Sequence, residues 1–265
     1  MRHFIFLFLA LISLSCSAQR TVVDTTKYAF HYAIRYSTSE ELSSDDDELV
    51  VEIGKEKTHC YGYWSEVNAL AYDSIIAHGG SVADYLGLGN PIASYRDHII
   101  KNYPQKGELT FTCYLGKNFI YTEPIKEKKW TLEEGDTTIL DYPCKKASCT
   151  FRNRTWQVWY TLDIPFSEGP WKLDGLPGMI LKAEDTQHKF YAECIGIKQH
   201  LNRPMSAKLT KRVRITPIYL ERLKKLEKRN YDAYEKAVGI TNVLSRPKYS
   251  KKTACLLEYY EPNKK

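Results

Sequence analysis

Histidine, cysteine and carboxylate side chains could do chemistry in this chain, but their spacing differs from that of the common catalytic and metal sites. His59-Cys60 is the only adjacent histidine–cysteine pair, and no two histidines after residue 18 stand at positions i and i+4. The sequence contains no GxSxG nucleophile elbow, no HExxH zinc motif and no glycine-rich phosphate loop that ends in Gly-Lys-Ser/Thr. We therefore expect no catalytic residue, no metal site and no cofactor, and we expect that the protein is not an enzyme.

Two groups of carboxylates offer chemical alternatives. The acidic run of residues 45–48 could bind calcium, although it lacks the glycine and the terminal glutamate of an EF-hand loop. Asp163 could form an acid–base pair with Glu168 or Asp174. A solvated loop explains the acidic run, and roles at strand edges and turns explain the other carboxylates. We therefore favour structural roles for both groups.

The first eighteen residues have the anatomy of a secretory signal peptide. A charged start precedes the apolar run of residues 4–12, and small residues follow up to Ala18. A membrane span needs roughly 20 apolar residues, so this run is too short, and no later segment approaches that length. Cleavage after Ala18 is favoured over lipidation of Cys16, because Ser13 stands where a lipoprotein signal has leucine. The sequence predicts an exported protein, periplasmic, outer-membrane-associated or extracellular, without a transmembrane span in the mature chain.

The cysteines of the mature chain are consistent with disulfides or with buried thiols. An even number of cysteines in an exported protein suggests disulfides, but cysteine is also among the most buried residue types. Six cysteines allow about 15 pairings, and the sequence cannot choose among them. They are Cys60, Cys113, Cys144, Cys149, Cys194 and Cys255.

The composition favours a folded domain and gives no indication of a nucleic-acid partner. Of the 265 residues, 43% are hydrophobic and 26% are charged, and the net charge of +6 is too small to indicate nucleic-acid binding. Residues 19–197 carry 19 basic and 26 acidic side chains, whereas residues 198–265 carry 18 basic and 6 acidic ones. We expect a signal peptide at 1–18, a single domain at 19–240 and a basic tail at 241–265.

Alternating apolar residues predict a meander of strands, and two regions have helical spacing. Strands are expected at residues 28–36, 49–53, 109–115, 138–151, 155–165, 179–184 and 190–197, with a loop at 37–48. Helical spacing predicts two short helices within residues 64–88, which Gly79-Gly80 separates. A last helix is predicted at residues 217–238, with Thr216 as its N-cap and Gly239 at its end.

The densest motif of the chain is the segment SEGPWKLDGLPGMIL at residues 167–181. Gly175 and Gly178 can adopt φ > 0 without steric cost. Leu176-Pro177-Gly178-Met179 has the order of a type II turn, with proline second and glycine third. We interpret the segment as a rigid double corner between two strands.

This motif resembles the signature of the GLPGLI family of exported Bacteroidota proteins. The strongest likeness is DGLPGMIL at Asp174–Leu181, and the match extends over about Trp130 to Ile197. Met179 stands where leucine is usual, and Asn153 stands where glycine is common. The family has no established activity that the resemblance could imply for this chain. More weakly, the meander and its basic helix resemble the half-barrel of periplasmic lipoprotein carriers, in which a curved sheet and helices enclose an apolar cavity.

From the patterns and the resemblance together we expect an α+β fold. It should be a curved antiparallel sheet, half-barrel-like, with helices packed on its concave side. The function expected is non-catalytic work in the cell envelope, binding a lipid-like or apolar ligand between sheet and helices. The alternatives are an interaction partner of outer-membrane transport machinery and an uncharacterised hydrolase.

The candidate binding or motif residues are those of the corner and one tryptophan beside it. Trp159 lies on the otherwise polar side of its predicted strand, so it is the better candidate for contacting a ligand or partner. Glycine and proline set backbone geometry, so a purely structural role for the corner stays open. The full set is Trp159, Gly169, Pro170, Trp171, Asp174, Gly175, Leu176, Pro177, Gly178 and Met179.

Overall fold

The computed structural model describes residues 20–37 and 45–239. The predicted signal peptide, the predicted tail and Cys255 therefore lie outside the described residues. The strands are β1 (Thr21–Thr26), β2 (Tyr28–Tyr36), β3 (Asp45–Ile53), β4 (Thr58–Gly62), β5 (His98–Lys101), β6 (Glu108–Leu115), β7 (Lys117–Pro124), β8 (Thr131–Ile139), β9 (Tyr142–Phe151), β10 (Arg154–Thr161), β11 (Met179–Asp185), β12 (Phe190–Lys198), β13 (Arg203–Ala207) and β14 (Val213–Arg214). The helices are α1 (Tyr63–Ala77), α2 (Val82–Leu86), α3 (Pro217–Arg229) and α4 (Tyr231–Val238).

One large curved sheet dominates the fold. Its strand order is β14-β7-β6-β5-β4-β3-β2-β12-β11-β10-β9-β8, and β1 pairs separately with β13. Neighbouring strands run antiparallel except β14, which is parallel to β7. Strands adjacent in sequence are adjacent in the sheet from β2 to β7 and from β8 to β12, and the β2–β12 pairing joins these two halves. The predicted α+β class and the antiparallel meander are confirmed.

The side of the sheet that faces the motif is apolar, and we call it the motif face. Its central row is Phe30, Val51, Cys60, Ile99 and Phe111, all at most 1% exposed. Helices α3 and α4 pack into the same cluster through Leu220, Leu223, Tyr234 and Val238. Burial of these side chains is the main stabilising contribution on this side.

The opposite side carries α1 and is more polar, and we call it the α1 face. Because strand side chains alternate, Val50, Glu52, His59, Tyr61 and His98 point away from the motif face. Helix α1 follows β4 directly and packs on this side through Tyr63. Helices therefore occupy both faces, whereas the sequence predicted them on one. The polar side chains of the α1 face are shielded from solvent by α1 together with β1 and β13.

Two predicted boundaries in the strands are wrong for local backbone reasons. The acidic run at 45–48, predicted as a loop, begins β3 and pairs with the end of β2. The single strand predicted at 138–151 is two strands, because Leu140 and Asp141 have φ of 50° and 65°. Two consecutive residues with positive φ form the two-residue connection that joins β8 and β9 as a hairpin.

The predicted C-terminal helix is broken at Asn230. This residue is extended, with φ −152° and ψ 88°, and its side chain accepts a hydrogen bond from the Ala233 amide at 3.1 Å. Asn230 therefore ends α3 and caps α4. The predicted cap at Thr216 and end at Gly239 are present, the latter with φ 70°. No helix of the described chain is both long and apolar enough to cross a membrane.

The cysteines within residues 20–37 and 45–239 are all buried. No disulfide joins any two of the five, which are Cys60, Cys113, Cys144, Cys149 and Cys194. Burial raises the pKa of Cys60, Cys149 and Cys194 to about 12. Within this part of the chain, packing rather than disulfide pairing accounts for the cysteines.

Candidate functional site

The motif lies in a partly buried loop, residues 162–178, which joins β10 to β11 and which we call the motif loop. Trp171, Leu173 and Leu176 are at most 2% exposed and pack into the apolar core of the motif face. The Met179 amide donates to the Ile164 carbonyl at 3.0 Å and fixes the exit of the loop. The loop is therefore part of the core rather than an exposed corner.

The glycines of the motif loop are needed for two different reasons. Gly175 has φ of 95°, which favours glycine strongly. Gly178 does not have positive φ, so the predicted type II turn is wrong. A Cβ at Gly178 would lie 1.9 Å from the Thr161 carbonyl oxygen. Close approach of two backbone segments, rather than turn geometry, explains Gly178.

Asp174 and Glu168 belong to a buried ion-pair cluster with two lysines. Lys101 Nζ lies 2.8 Å from Asp174 Oδ2 and 2.6 Å from Glu168 Oε2, and Lys128 also pairs with Asp174. Burial lowers the pKa of Lys128 to about 8, although Asp174 opposes the shift. Burial alone would lower the pKa of Lys101, but Asp174 and Glu168 raise it above its ordinary value. Glu168 and Asp174, each suggested as an acid–base partner of Asp163, thus both pair with Lys101, whereas Asp163 is exposed.

Trp159 is separate from the motif loop. It is half-buried, and Lys146 Nζ and Lys182 Nζ lie 5.5 and 5.0 Å from the centre of its ring. Of the other candidate residues, Asp174 is half-buried and Gly175 and Pro177 are exposed. The remaining ones are buried, namely Gly169, Pro170, Trp171, Leu176, Gly178 and Met179. A binding role for this set stays a prediction.

A cavity of about 430 Å³ lies between α1 and the α1 face of the sheet. This volume is within the range of small-molecule sites, about 300–1,000 Å³. The residues that line it come from five stretches of the chain: Arg20, His31, Val50, Glu52, Tyr61, Tyr63, Glu66, Val67, Leu70, Lys198, Leu201, Arg203, Pro204 and Ser206. One part of the wall is apolar, and the other carries cations, carboxylates and phenols.

Arg20 is fixed in the cavity wall by hydrogen bonds, although one nitrogen of its guanidinium group has no hydrogen-bond partner. Its Nε donates to Ser206 Oγ at 3.1 Å, and its Nη2 donates to the Ser206 carbonyl at 3.0 Å and pairs with Glu66. Its Nη1 is buried and has no hydrogen-bond partner. Burial raises the pKa of Glu66 above its ordinary value, although Arg20 opposes that shift.

Glu52 is the second carboxylate of the cavity wall, and three side chains donate hydrogen bonds to it. It is 3% exposed and accepts hydrogen bonds from Thr26 Oγ1 at 2.9 Å and from Tyr61 Oη at 3.0 Å. It also pairs with Arg203. Burial raises the pKa of Tyr61, so this phenol stays a hydrogen-bond donor. The contacts of the Glu52 carboxylate thus link β3 to β1, β4 and β13.

Two histidines adjoin this network, His59 buried and His98 half-buried. His59 Nε2 lies 3.2 Å from His98 Nδ1, and the His59 and Tyr61 rings are 4.7 Å apart. Burial lowers the pKa of both histidines, that of His98 to about 3, with Arg20 contributing to both shifts. His59 Nδ1 is buried without a partner. Both imidazoles are therefore neutral near neutral pH.

The cavity was not predicted from the sequence, although one signal was present. Glu52, His59 and Tyr61 alternate with core residues on β3 and β4, which marks a buried polar face. His59 and its neighbour Cys60 lie on opposite faces and cannot share a metal ion. No group of three or more His, Cys, Asp or Glu side chains is placed to hold a metal ion within residues 20–37 and 45–239.

Similarity to known proteins covers the fold and one short stretch of sequence. Residues 148–182, which include Asp174–Leu181, match the model of a family described as a protein of unknown function (Porph_ging). No curated protein matches the chain.

Among solved structures, PNGF-II in space group P21 aligns with 13% identity and a TM-score of 0.51, over 74% of this chain and 32% of PNGF-II. PNGF-II in space group C2 aligns with 14% identity and a TM-score of 0.49, over 75% of this chain and 32% of PNGF-II. A LolA superfamily protein, NE2245 from Nitrosomonas europaea, aligns with 10% identity and a TM-score of only 0.28, over 66% and 86% of the two chains. The chain thus spans about a third of the length of PNGF-II and is similar to that part of it in fold.

Proposed function

We propose that the chain is a non-catalytic protein of the cell envelope that binds a small ligand with an apolar body in the cavity under α1. The observation that carries this proposal is the cavity itself, with an apolar wall beside a buried guanidinium nitrogen that has no partner. A non-catalytic role is favoured because Arg20 and Arg203 hold the two carboxylates of the wall in ion pairs. The ligand site expected between sheet and helices then lies on the α1 face, since the motif loop and the apolar core fill the motif face.

Native mass spectrometry of the mature chain, purified from an envelope extract, tests this proposal. We expect a reproducible extra mass that organic solvent removes. Val67→Trp should abolish it by filling the cavity, whereas Ile76→Trp should not, because Ile76 lies on the same helix but outside the cavity wall. A bare mass for the wild-type chain, or equal occupancy in both variants, would refute binding in this cavity.

A second candidate function is docking of a partner protein on α1 and α2. Helix α1 buries none of its 15 residues, and Leu86 and Ile92 beside it are 70% and 88% exposed. Large exposed apolar patches mark interaction sites. Residues 58–95 contain no lysine or arginine, so a basic and apolar partner surface would fit. The outer-membrane partner expected from the sequence stays a prediction.

Site-specific photo-cross-linking distinguishes this second candidate. A photoreactive residue at position 92 should give a defined adduct in envelope extract. The same residue at position 132 should give none, because Leu132 is similarly exposed, at 67%, but lies on β8 at the far edge of the sheet. Identical adduct patterns from the two positions would contradict a specific docking surface.

A further inference from the structure

One residue in the wall of the α1 cavity has a hydrogen-bond donor that no acceptor uses. Arg20 Nη1 is buried and unpartnered, although the other nitrogens of the same guanidinium are bound to Ser206 and Glu66. An unsatisfied buried donor is destabilising, so native proteins retain few of them. A ligand oxygen would satisfy it once the Arg20 side chain turns toward the cavity, because Nη1 is closed off from solvent as the wall stands.

The charges of the wall favour an anion over a neutral acceptor. Three cationic side chains line the cavity, against two carboxylates. Arg20 pairs with Glu66 and Arg203 with Glu52, which leaves Lys198 without an ion pair in the described part of the chain. Lys198 is exposed at the end of β12, so its ammonium group can face a ligand from the solvent side.

The apolar part of the wall complements these donors. Val67 and Leu70 from α1 lie on one side, and Leu201 and Pro204 lie on the other. A ligand that uses both parts has a hydrocarbon body and one polar end. The aromatic side chain of Tyr63 adds a further apolar surface at the base of α1.

We infer that the cavity selects amphiphiles with an anionic head group, a carboxylate or a phosphate, which Arg20 Nη1 binds and Lys198 attracts. This inference rests on the proposed function and adds the chemical class of the ligand. Hydrogen bonds between charged groups are the stronger ones, so the head group should contribute about tenfold or more to affinity. Part of that preference should decrease with salt, because Lys198 is exposed.

Calorimetric titration with three probes of one chain length tests the inference. Decanoate and decyl phosphate carry an anion, and decanol is neutral. We expect each anion to bind the wild-type chain at least about tenfold more tightly than decanol. Comparison of the two anions distinguishes a carboxylate from a phosphate site.

Two substitutions locate the head group. Arg20→Lys keeps a cation beside Glu66 but removes Nη1, and Lys198→Met removes the exposed charge. Each should reduce the ratio of anion affinity to decanol affinity about threefold or more. Arg35→Lys and Lys145→Met are matched controls, because both side chains are exposed and neither lines the cavity. Thermal melting would identify any variant that fails to fold, and Lys198→Met should remain folded because its side chain is exposed.

The results separate the inference about the anionic head group from the proposed function. Equal binding of decanol and the anions would overturn the inference but leave the proposed function intact. Failure of all three probes to bind, or binding that Val67→Trp does not affect, would refute the proposed function as well. A preference for anions that neither Arg20→Lys nor Lys198→Met reduces would place the head group elsewhere and overturn the inference.

Discussion

Lys101 on β5 and Asp174 in the motif loop form a buried ion pair, with Nζ 2.8 Å from Oδ2. The pair joins residues 73 positions apart in sequence and ties the motif loop to β5, the fourth strand from one edge of the sheet. Lys101 Nζ also donates to the Leu173 carbonyl at 3.2 Å, so it satisfies the loop backbone as well. The motif loop is thus anchored in two ways: Lys101 binds it through the ion pair, and Trp171 and Leu176 pack in the apolar core.

Asp174→Asn should strongly destabilise the protein. The substitution leaves Lys101 and Lys128 with less compensating charge in a buried site, and removal of one partner from a buried pair costs about 3–5 kcal/mol. Urea denaturation should therefore show a loss of that size. Asp163→Asn is the matched control on the same loop, because its side chain is exposed, and it should change stability by less than about 0.5 kcal/mol. Similar losses in the two variants would contradict a structural role for the buried cluster.

Gly178→Ala should disrupt the packing of the motif loop against β10. The added Cβ would lie 1.9 Å from the Thr161 carbonyl oxygen, and the obstacle is backbone that cannot rotate away. We expect a loss of about 3 kcal/mol or more in the free energy of unfolding, at the upper end of overpacking effects. Gly196→Ala on β12 is the control, since a Cβ there has no neighbour within 4 Å. A Gly178→Ala variant as stable as this control in urea would refute the close approach.

Much of the fold follows from local patterns, because these patterns fix which side chains face the core. The strand at 28–36 and the helix break at Gly79-Gly80 were predicted, and both are present. The helix break at Asn230 was not predicted, because Asn230 continues the three- and four-residue spacing of Leu223, Leu226 and Ala233, although its side chain favours a cap over a helix interior. The Leu140-Asp141 turn was missed because it lacks the glycine that usually marks such a hairpin.

The cavity could not be predicted in the same way. Arg20, Glu52, Glu66 and Arg203 are far apart in sequence, and only the pairing of β1 with β13 and the position of α1 bring them together. The buried lysines were missed because lysine is usually exposed. Lys101 lies two residues after Ile99 on β5, a strand that was not predicted, and therefore shares the motif face with Ile99.

Acid should destabilise the folded protein through His59 and His98. Burial lowers the pKa of His98 from 6.5 to about 3, so between these values the unfolded chain binds the proton that the folded chain excludes. Stability is therefore fully present above about pH 6.5 and is lost as pH falls, with a slope of up to about 1.4 kcal/mol per pH unit for each such group. His98→Asn should flatten this slope in urea denaturation series, whereas His188→Asn, on an exposed turn, should not. Parallel profiles for the wild-type chain and His98→Asn would contradict the prediction.

The buried thiols should resist alkylation while the protein is folded. Only the thiolate reacts, and burial raises the pKa of Cys60 to about 12, so little thiolate exists at about pH 8. We expect iodoacetamide to modify Cys60 at least about a hundredfold more slowly than an exposed cysteine introduced by Leu132→Cys. Peptide mapping by mass spectrometry measures both sites in one sample, and unfolding in guanidinium chloride should remove the difference. Modification of Cys60 and of the introduced cysteine at similar rates would mean that β4 is not covered on the motif face as the fold requires.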